Sequence, residues 1–223
     1  MTWQLDKYVL FHPFVCALTT SVTLIGLWDI FFATYEDFLI SIFCLIIVVE
    51  VLVGGAITLF LKKDSQSRDT VTFYLGPLLI CSAVINLTSS TVMVFFVYKM
   101  NNDPHSLLEI VKLGYGSPWY NKVTEAWDRL HISNECCGVY GYKDWRETDW
   151  YKHQNTYPPL RAPASCYNNV IGCHLPISFQ TAVMGTLFST VTFISTIIKI
   201  RSFKNILYES NQRVRLEFDN LTV

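Results

Sequence analysis

Residues Val71 to Tyr98 read VTFYLGPLLICSAVINLTSSTVMVFFVY, 28 residues without one Asp, Glu, Lys or Arg. At 1.5 Å rise per residue, about 20 such residues cross roughly 30 Å of hydrocarbon, and buried helices of soluble domains rarely run so long uncharged. Three further stretches share the property. Tyr8 to Trp28 carries no charged residue, Phe38 to Leu61 carries only Glu50, and Leu175 to Ile198 carries none. The chain of 223 residues is 51% hydrophobic and 16% charged, with a mean hydropathy of +0.31, a membrane composition rather than a soluble one. The reading predicts an all-α integral membrane fold with four transmembrane helices at 13–33, 38–61, 72–98 and 176–199. Short loops at 34–37 and 62–71 and a large loop over 99–175 join them, with terminal segments at 1–12 and 200–223. The first stretch ends on Trp28-Asp29-Ile30 with no small-x-small cleavage site, so it reads as a retained span, not a signal peptide.

Charge placement orients the chain. The first connection holds two acids and no base, the second holds Lys62, Lys63 and Arg68, and the C-terminal flank holds Lys199, Arg201, Lys204, Arg213 and Arg215. Basic flanks stay in the cytoplasm, so both termini are expected there and the large loop outside. The tail from Phe203 to Phe218 is expected along the inner leaflet, with Arg213 and Arg215 near anionic lipid. The net charge of −1 says nothing about nucleic acid, and no Lys/Arg block is long enough to suggest it, so no nucleic-acid partner is expected.

The large loop holds four of the seven cysteines: Cys136, Cys137, Cys166 and Cys173. An even count in an exported segment reads as a disulfide framework, and four cysteines allow three pairings. A bond between the adjacent Cys136 and Cys137 is strained, which leaves two arrangements. Adjacent ligands and an oxidising compartment argue against a zinc site with His174. Staples suit a segment of this size, because about 75 residues form a marginal core and each bridge adds about 2–4 kcal/mol. Asp103-Pro104 reads as an N-cap with proline at the first helical position, closed by Gly114, and Ser117-Pro118 repeats the signature. Tyr120, Val123, Trp127 and Leu130 then form one apolar helical stripe. Beyond Gly138, Pro158-Pro159 and Pro163 bar a long helix, and an irregular, aromatic-rich subdomain is expected.

The run Glu135-Cys136-Cys137-Gly138 resembles the Cys-Cys-Gly signature of the tetraspanins. Pro163-Ala164-Ser165-Cys166 resembles their Pro-x-Ser-Cys motif, and Gly172-Cys173 resembles their last loop cysteine. With a tiny first loop and a large second one, the resemblance covers essentially the whole chain. The compact four-cysteine loop and the Gly-Tyr-x-Asp-Trp run at 141–145 are similar to the smaller, insect-type members. The resemblance implies bonds Cys136–Cys173 and Cys137–Cys166, with Gly138 supplying a turn. It implies a lateral membrane organiser that binds other membrane proteins, self-associates, and affects clustering, trafficking and sorting at the plasma membrane or endolysosomal membranes. The chain departs from the pattern in its very short first loop, in a first span with hydroxyls but no Asn, and in carrying its acid, Glu50, in the second span. Members are palmitoylated at juxtamembrane cysteines; Cys16 and Cys81 are the nearest candidates here, both slightly inside the membrane.

An acid near the bilayer centre cannot face lipid cheaply. Glu50 and Asn86 lie at matching depths of the second and third spans, so the expectation is a protonated Glu50 bonded to Asn86 or to a hydroxyl of span one. Gly54-Gly55-Ala56 invites close helix approach, as does the row Ala182, Gly185 and Ser189. In the loop, Tyr140, Tyr142, Trp145, Trp150, Tyr151 and Tyr157 are candidate partner-binding anchors, about half of them needed for the loop's own core. The sequence shows no nucleophile–base pair, metal spacing or phosphate loop, so neither an enzyme nor a cofactor other than membrane lipid or sterol is expected. The alternative function is a lipid or sterol carrier or sensor with Glu50 in an intramembrane cavity. A channel or junction protein is disfavoured, since the first loop lacks both length and cysteine and the spans lack repeated charges.

Overall fold

The computed structural model describes residues 3–34, 38–62, 68–166 and 171–221, and among these the chain is helical with no strand. Four long helices carry the uncharged stretches: α1 (Trp3–Ala33), α2 (Phe38–Lys62), α3 (Arg68–Asn102) and α7 (His174–Leu221). Each contains a segment long and apolar enough to cross a membrane: Phe11–Ala33, Phe38–Ile57, Leu75–Asn102 and His174–Asn205. Between α3 and α7 lie α4 (Pro104–Gly114), α5 (Asn121–Ser133), a 3-10 turn over Tyr142–Glu147, the single-turn α6 (Asp149–Lys152) and a 3-10 turn over Ala164–Cys166. After Gly185, α7 contains neither glycine nor proline, and nothing breaks it before Leu221. The tail is therefore a continuation of the last span's helix as far as Leu221.

The chain forms two compact units. The first comprises Met1–Ser21, Cys44–Thr91 and Phe188–Val223. Its apolar core joins Val53 and Ile57 of α2 to Leu75 and Leu79 of α3. A Cβ on Gly54 would stand 3.2 Å from the Phe14 ring, so the missing side chain lets α1 approach α2 closely. Gly55 faces open space and takes no part.

The second unit comprises Val22–Phe43 and Val92–Leu187. Phe31 of α1 packs on Phe43 of α2 and Phe96 of α3, with ring centroids 5.6 and 5.5 Å apart. Gly26 lies against Met184, and the Gln180 amide donates to the Gly26 carbonyl at 2.6 Å. Gly185 is buried against Met93 and Val97. The loop domain sits in this unit. Asp103 caps α4 by accepting from the Ser106 N–H at 3.2 Å, as the Asp-Pro signature predicts. The Ser117-Pro118 signature does not start α5. Gly116 takes φ +77°, Tyr120 N–H donates to the Ser117 carbonyl, and the helix begins only at Asn121. The turn consumes the residues that would have been the cap. α5 is held to the end of α1, where the Trp127 indole donates to the Ala33 carbonyl at 3.1 Å and Arg129 pairs with Asp29 at 2.7 Å.

Candidate functional site

The loop is organised by its cysteines. Cys136 bonds to Cys173 and Cys137 to Cys166, with Cα atoms 5.0 and 4.8 Å apart. Gly138, at φ +67°, lets the chain reverse directly after the pair; a Cβ there would run into the Gly141 carbonyl. The reversal lays residues 137–139 beside 171–174: Cys137 N–H donates to Ile171, Cys173 N–H to Gly138 and His174 N–H to Val139. Asp144 closes the turn from the other side. Its Oδ2 accepts from the N–H groups of Val139, Tyr140 and Gly141 at 2.9, 2.7 and 3.2 Å.

A polar chain links the two cysteine motifs. His131 is fully buried, and its Nε2 accepts from the Gly138 N–H at 3.3 Å, leaving the ring proton on Nδ1 to meet Ser165 Oγ at 3.0 Å. Ser165 in turn donates to Asp128 at 2.6 Å, and so does the Tyr115 hydroxyl. Burial pushes the His131 ring down to about 4, with Asp128 opposing. Burial, then the bond to Asp128, raises the Tyr115 hydroxyl above its ordinary value. At the surface, Lys112 pairs with Glu147 at 2.5 Å and holds that carboxyl below its usual value.

The candidate anchors separate into two sets. Trp145 is wholly buried: its indole donates to Cys137 Sγ at 3.3 Å and its ring meets Tyr115 at 4.6 Å and His131 at 5.5 Å. It belongs to the core and cannot offer surface to a partner. Tyr142, Trp150 and Tyr151 are half-buried, Tyr140 is 55% exposed and Tyr157 is 99% exposed. The sequence reading omitted Trp119, which is 87% exposed and lies in the turn before α5. Its signal was present in the adjacent Gly116 and Pro118, which mark a surface turn.

Within the spans, Glu50, Ser82, Asn86 and Lys199 come together and none has exposed surface. Glu50 Oε1 accepts from Asn86 at 2.8 Å and Ser82 at 3.0 Å, and forms an ion pair with Lys199, which also donates to Ser82 at 2.6 Å. Glu50 thus bonds to Asn86, as the matching depths predicted, and Lys199 joins the same carboxylate oxygen. Lys199, counted in the sequence reading as a cytoplasmic flank, is the missing counter-charge. Its signal was periodicity: Phe188, Thr192, Ser195, Lys199 and Ser202 recur at three- and four-residue spacing and form the buried stripe of α7. Of the lipidation candidates, Cys16 is buried beside Asn86, leaving no room for an acyl chain, whereas Cys81 is exposed. Among the described residues no cluster of His, Cys, Asp and Glu could hold a metal ion.

Four helices long and apolar enough to cross a membrane, with a loop stapled through Cys-Cys-Gly and Pro-x-Ser-Cys cysteines, give the architecture of a multi-pass membrane protein whose loop motifs resemble those of the tetraspanins. No protein-family model matches the chain. It is 40% identical over 55 residues to Tetraspanin-15 of Caenorhabditis elegans, a match covering 23% of this chain and only 21% of that protein. It is 23% identical over 177 residues to the CD151 antigen of Chlorocebus aethiops and of Macaca mulatta, covering 75% of this chain and 70% of theirs. The chain is thus similar to these tetraspanin relatives along up to three-quarters of its length.

Proposed function

We propose that this chain engages other membrane proteins laterally through the exposed aromatic face of its large loop, and so affects their clustering, trafficking or sorting. The observation that carries the reading is the division of labour among the loop aromatics. Trp127 and Trp145 fill the stapled core completely, while Tyr140 and Tyr157 remain at 55% and 99% exposure on a rigid scaffold. Exposed aromatics on a rigid frame bury large area at little entropic cost, which is how interface anchors work. The basic flanks support a loop that faces outward with both termini in the cytoplasm, and the tetraspanin resemblance supports residence at the plasma membrane or along the endolysosomal route. Sterol carriage is not favoured. The apolar hollow beside Lys199, lined by Leu79, Ala83, Leu87 and Phe203, holds about 180 Å³, below the roughly 300–1,000 Å³ of ordinary ligand sites.

The test is quantitative crosslinking and mass spectrometry in mild detergent, comparing wild type with a chain in which the exposed Tyr140 and Tyr157 are replaced by serine. Loss of a specific membrane partner supports the reading. An unchanged partner set moves recognition to the spans.

A further inference from the structure

Tyr157 is almost wholly exposed, yet the segment that carries it is closed. The Gln154 carboxamide pairs at both ends with the Leu160 backbone. Its Oε1 accepts from the Leu160 N–H at 2.7 Å, and its Nε2 donates to the Leu160 carbonyl at 3.1 Å. Thr156 Oγ1 donates to the same Oε1 at 3.3 Å. A side-chain amide thus takes the place of a strand partner and closes a loop whose tip is Tyr157-Pro158-Pro159. Each proline fixes its own φ and restricts the residue before it, so the tip is ordered before any partner arrives. An anchor held in this way gives up little freedom on binding. Leu160, at the foot of the tip, also keeps 54% of its surface exposed.

The chemistry of the tip selects among modes of recognition. The prolines have no N–H and the Leu160 N–H is spent, so this stretch cannot add as a strand to a sheet edge. The Tyr157, Pro158 and Pro159 carbonyls have no intramolecular partner among the described residues. Hydrocarbon offers them none either, so the tip does not suit a bilayer interior. The charge around it has one sign: from Trp150 to His174 the chain holds Lys152 and Arg161 and no Asp or Glu. Lys152 is paired with Asp149, whereas the exposed Arg161 has no ion pair among the described residues. Apolar side chains, a backbone that only accepts and an unpaired guanidinium define their complement. It is an apolar pocket with N–H or O–H donors in its wall and a carboxylate at its rim. We propose that the Gln154 clasp holds Tyr157, Pro158, Pro159 and Leu160 as a preformed knob that enters such a pocket on a protein partner, with Arg161 meeting the carboxylate. Gln154 is then a positioning residue, acting through the loop it closes. The inference rests on the partner reading and adds to it the residue that fixes the anchor and the chemistry of the receiving surface.

The test uses the full chain in cells, with p-benzoylphenylalanine replacing Asn155, an exposed position inside the loop and outside the clasp. Adducts formed on irradiation are quantified and mapped by mass spectrometry. The expected result is a protein adduct whose yield falls several-fold in Gln154→Ala, in Tyr157→Ser and in Arg161→Glu. Gln154→Glu, which can still accept from the Leu160 N–H, should retain more than Gln154→Ala. On isolated membranes, added salt should lower the wild-type yield, and Arg161→Gln should remove that dependence. Disulfide mapping and near-ultraviolet circular dichroism matching wild type report an intact fold in each variant. Full yield in Gln154→Ala beside loss in Tyr157→Ser would overturn the role of the clasp. An adduct insensitive to both but lost in Tyr140→Ser would overturn the knob and leave the partner reading standing. Adducts insensitive to all three changes would remove both. A lipid adduct in place of a protein one would make the tip membrane-seeking and equally overturn the proposal.

Discussion

Lys199 of α7 is paired with Glu50 of α2, and neither side chain has any exposed surface. One oxygen of the carboxylate takes every bond, from Lys199, Ser82 and Asn86, while Oε2 has no partner among the described residues. Removing one charge leaves the other buried and uncompensated, which costs about 3–5 kcal/mol. Glu50→Leu and Lys199→Met are therefore each expected to reduce folded yield sharply. The double replacement should recover most of it, read as folded protein by size-exclusion chromatography after extraction. Equal loss in the double variant would show that the two residues act separately.

The loop is expected to weaken in acid through His131. Its folded-state value lies below the ordinary 6.5, pushed down to about 4 by burial, so the native loop holds the neutral ring. Stability is complete above pH 6.5 and falls as pH drops from there towards 4, by about 3 kcal/mol in all. Protonation would also remove the acceptor used by the Gly138 N–H. Thermal unfolding followed by near-ultraviolet circular dichroism, with disulfides intact, should show this slope in wild type and lose it in His131→Gln.

Gly138→Ala is expected to destabilise the loop by about 2 kcal/mol or more, because the position combines positive φ with a carbonyl where Cβ would go. Asp144→Ala should cost about 1–3 kcal/mol, since three N–H donors lose a charged acceptor. Chemical unfolding of both variants checks the two values, and a shift of neither midpoint would remove the turn from the account.

Trp127→Phe is expected to free the loop-side end of α1. The replacement keeps an aromatic ring, though a smaller one, and deletes the donor to the Ala33 carbonyl. Faster hydrogen exchange confined to α5 and residues near Ala33 is the predicted result, whereas an unchanged pattern would leave Arg129 and Asp29 as the holding contact.

Much of this architecture could be read from the residues, for identifiable reasons. Four spans follow from the absence of charge over lengths that only a membrane rewards, and α4 follows from Asp103-Pro104, a local signal that no distant contact overrides. Lys199 escaped because rules for span ends treat any terminal lysine as a flank, and only the pairing across helices reveals it as the partner of Glu50. Trp145 escaped because an irregular segment has no periodicity, so a core aromatic and a surface one look alike. The start of α5 was misplaced because Ser117-Pro118 carries a cap signature that the left-handed Gly116 turns to another use.

The central claim is that exposed loop aromatics recruit membrane partners. Its most direct test is quantitative crosslinking of a Tyr140→Ser/Tyr157→Ser chain beside wild type at equal surface level. Both positions lie outside the core, so the fold should persist. The account predicts selective loss of at least one membrane protein from the crosslinked set. An identical set from both chains would contradict it.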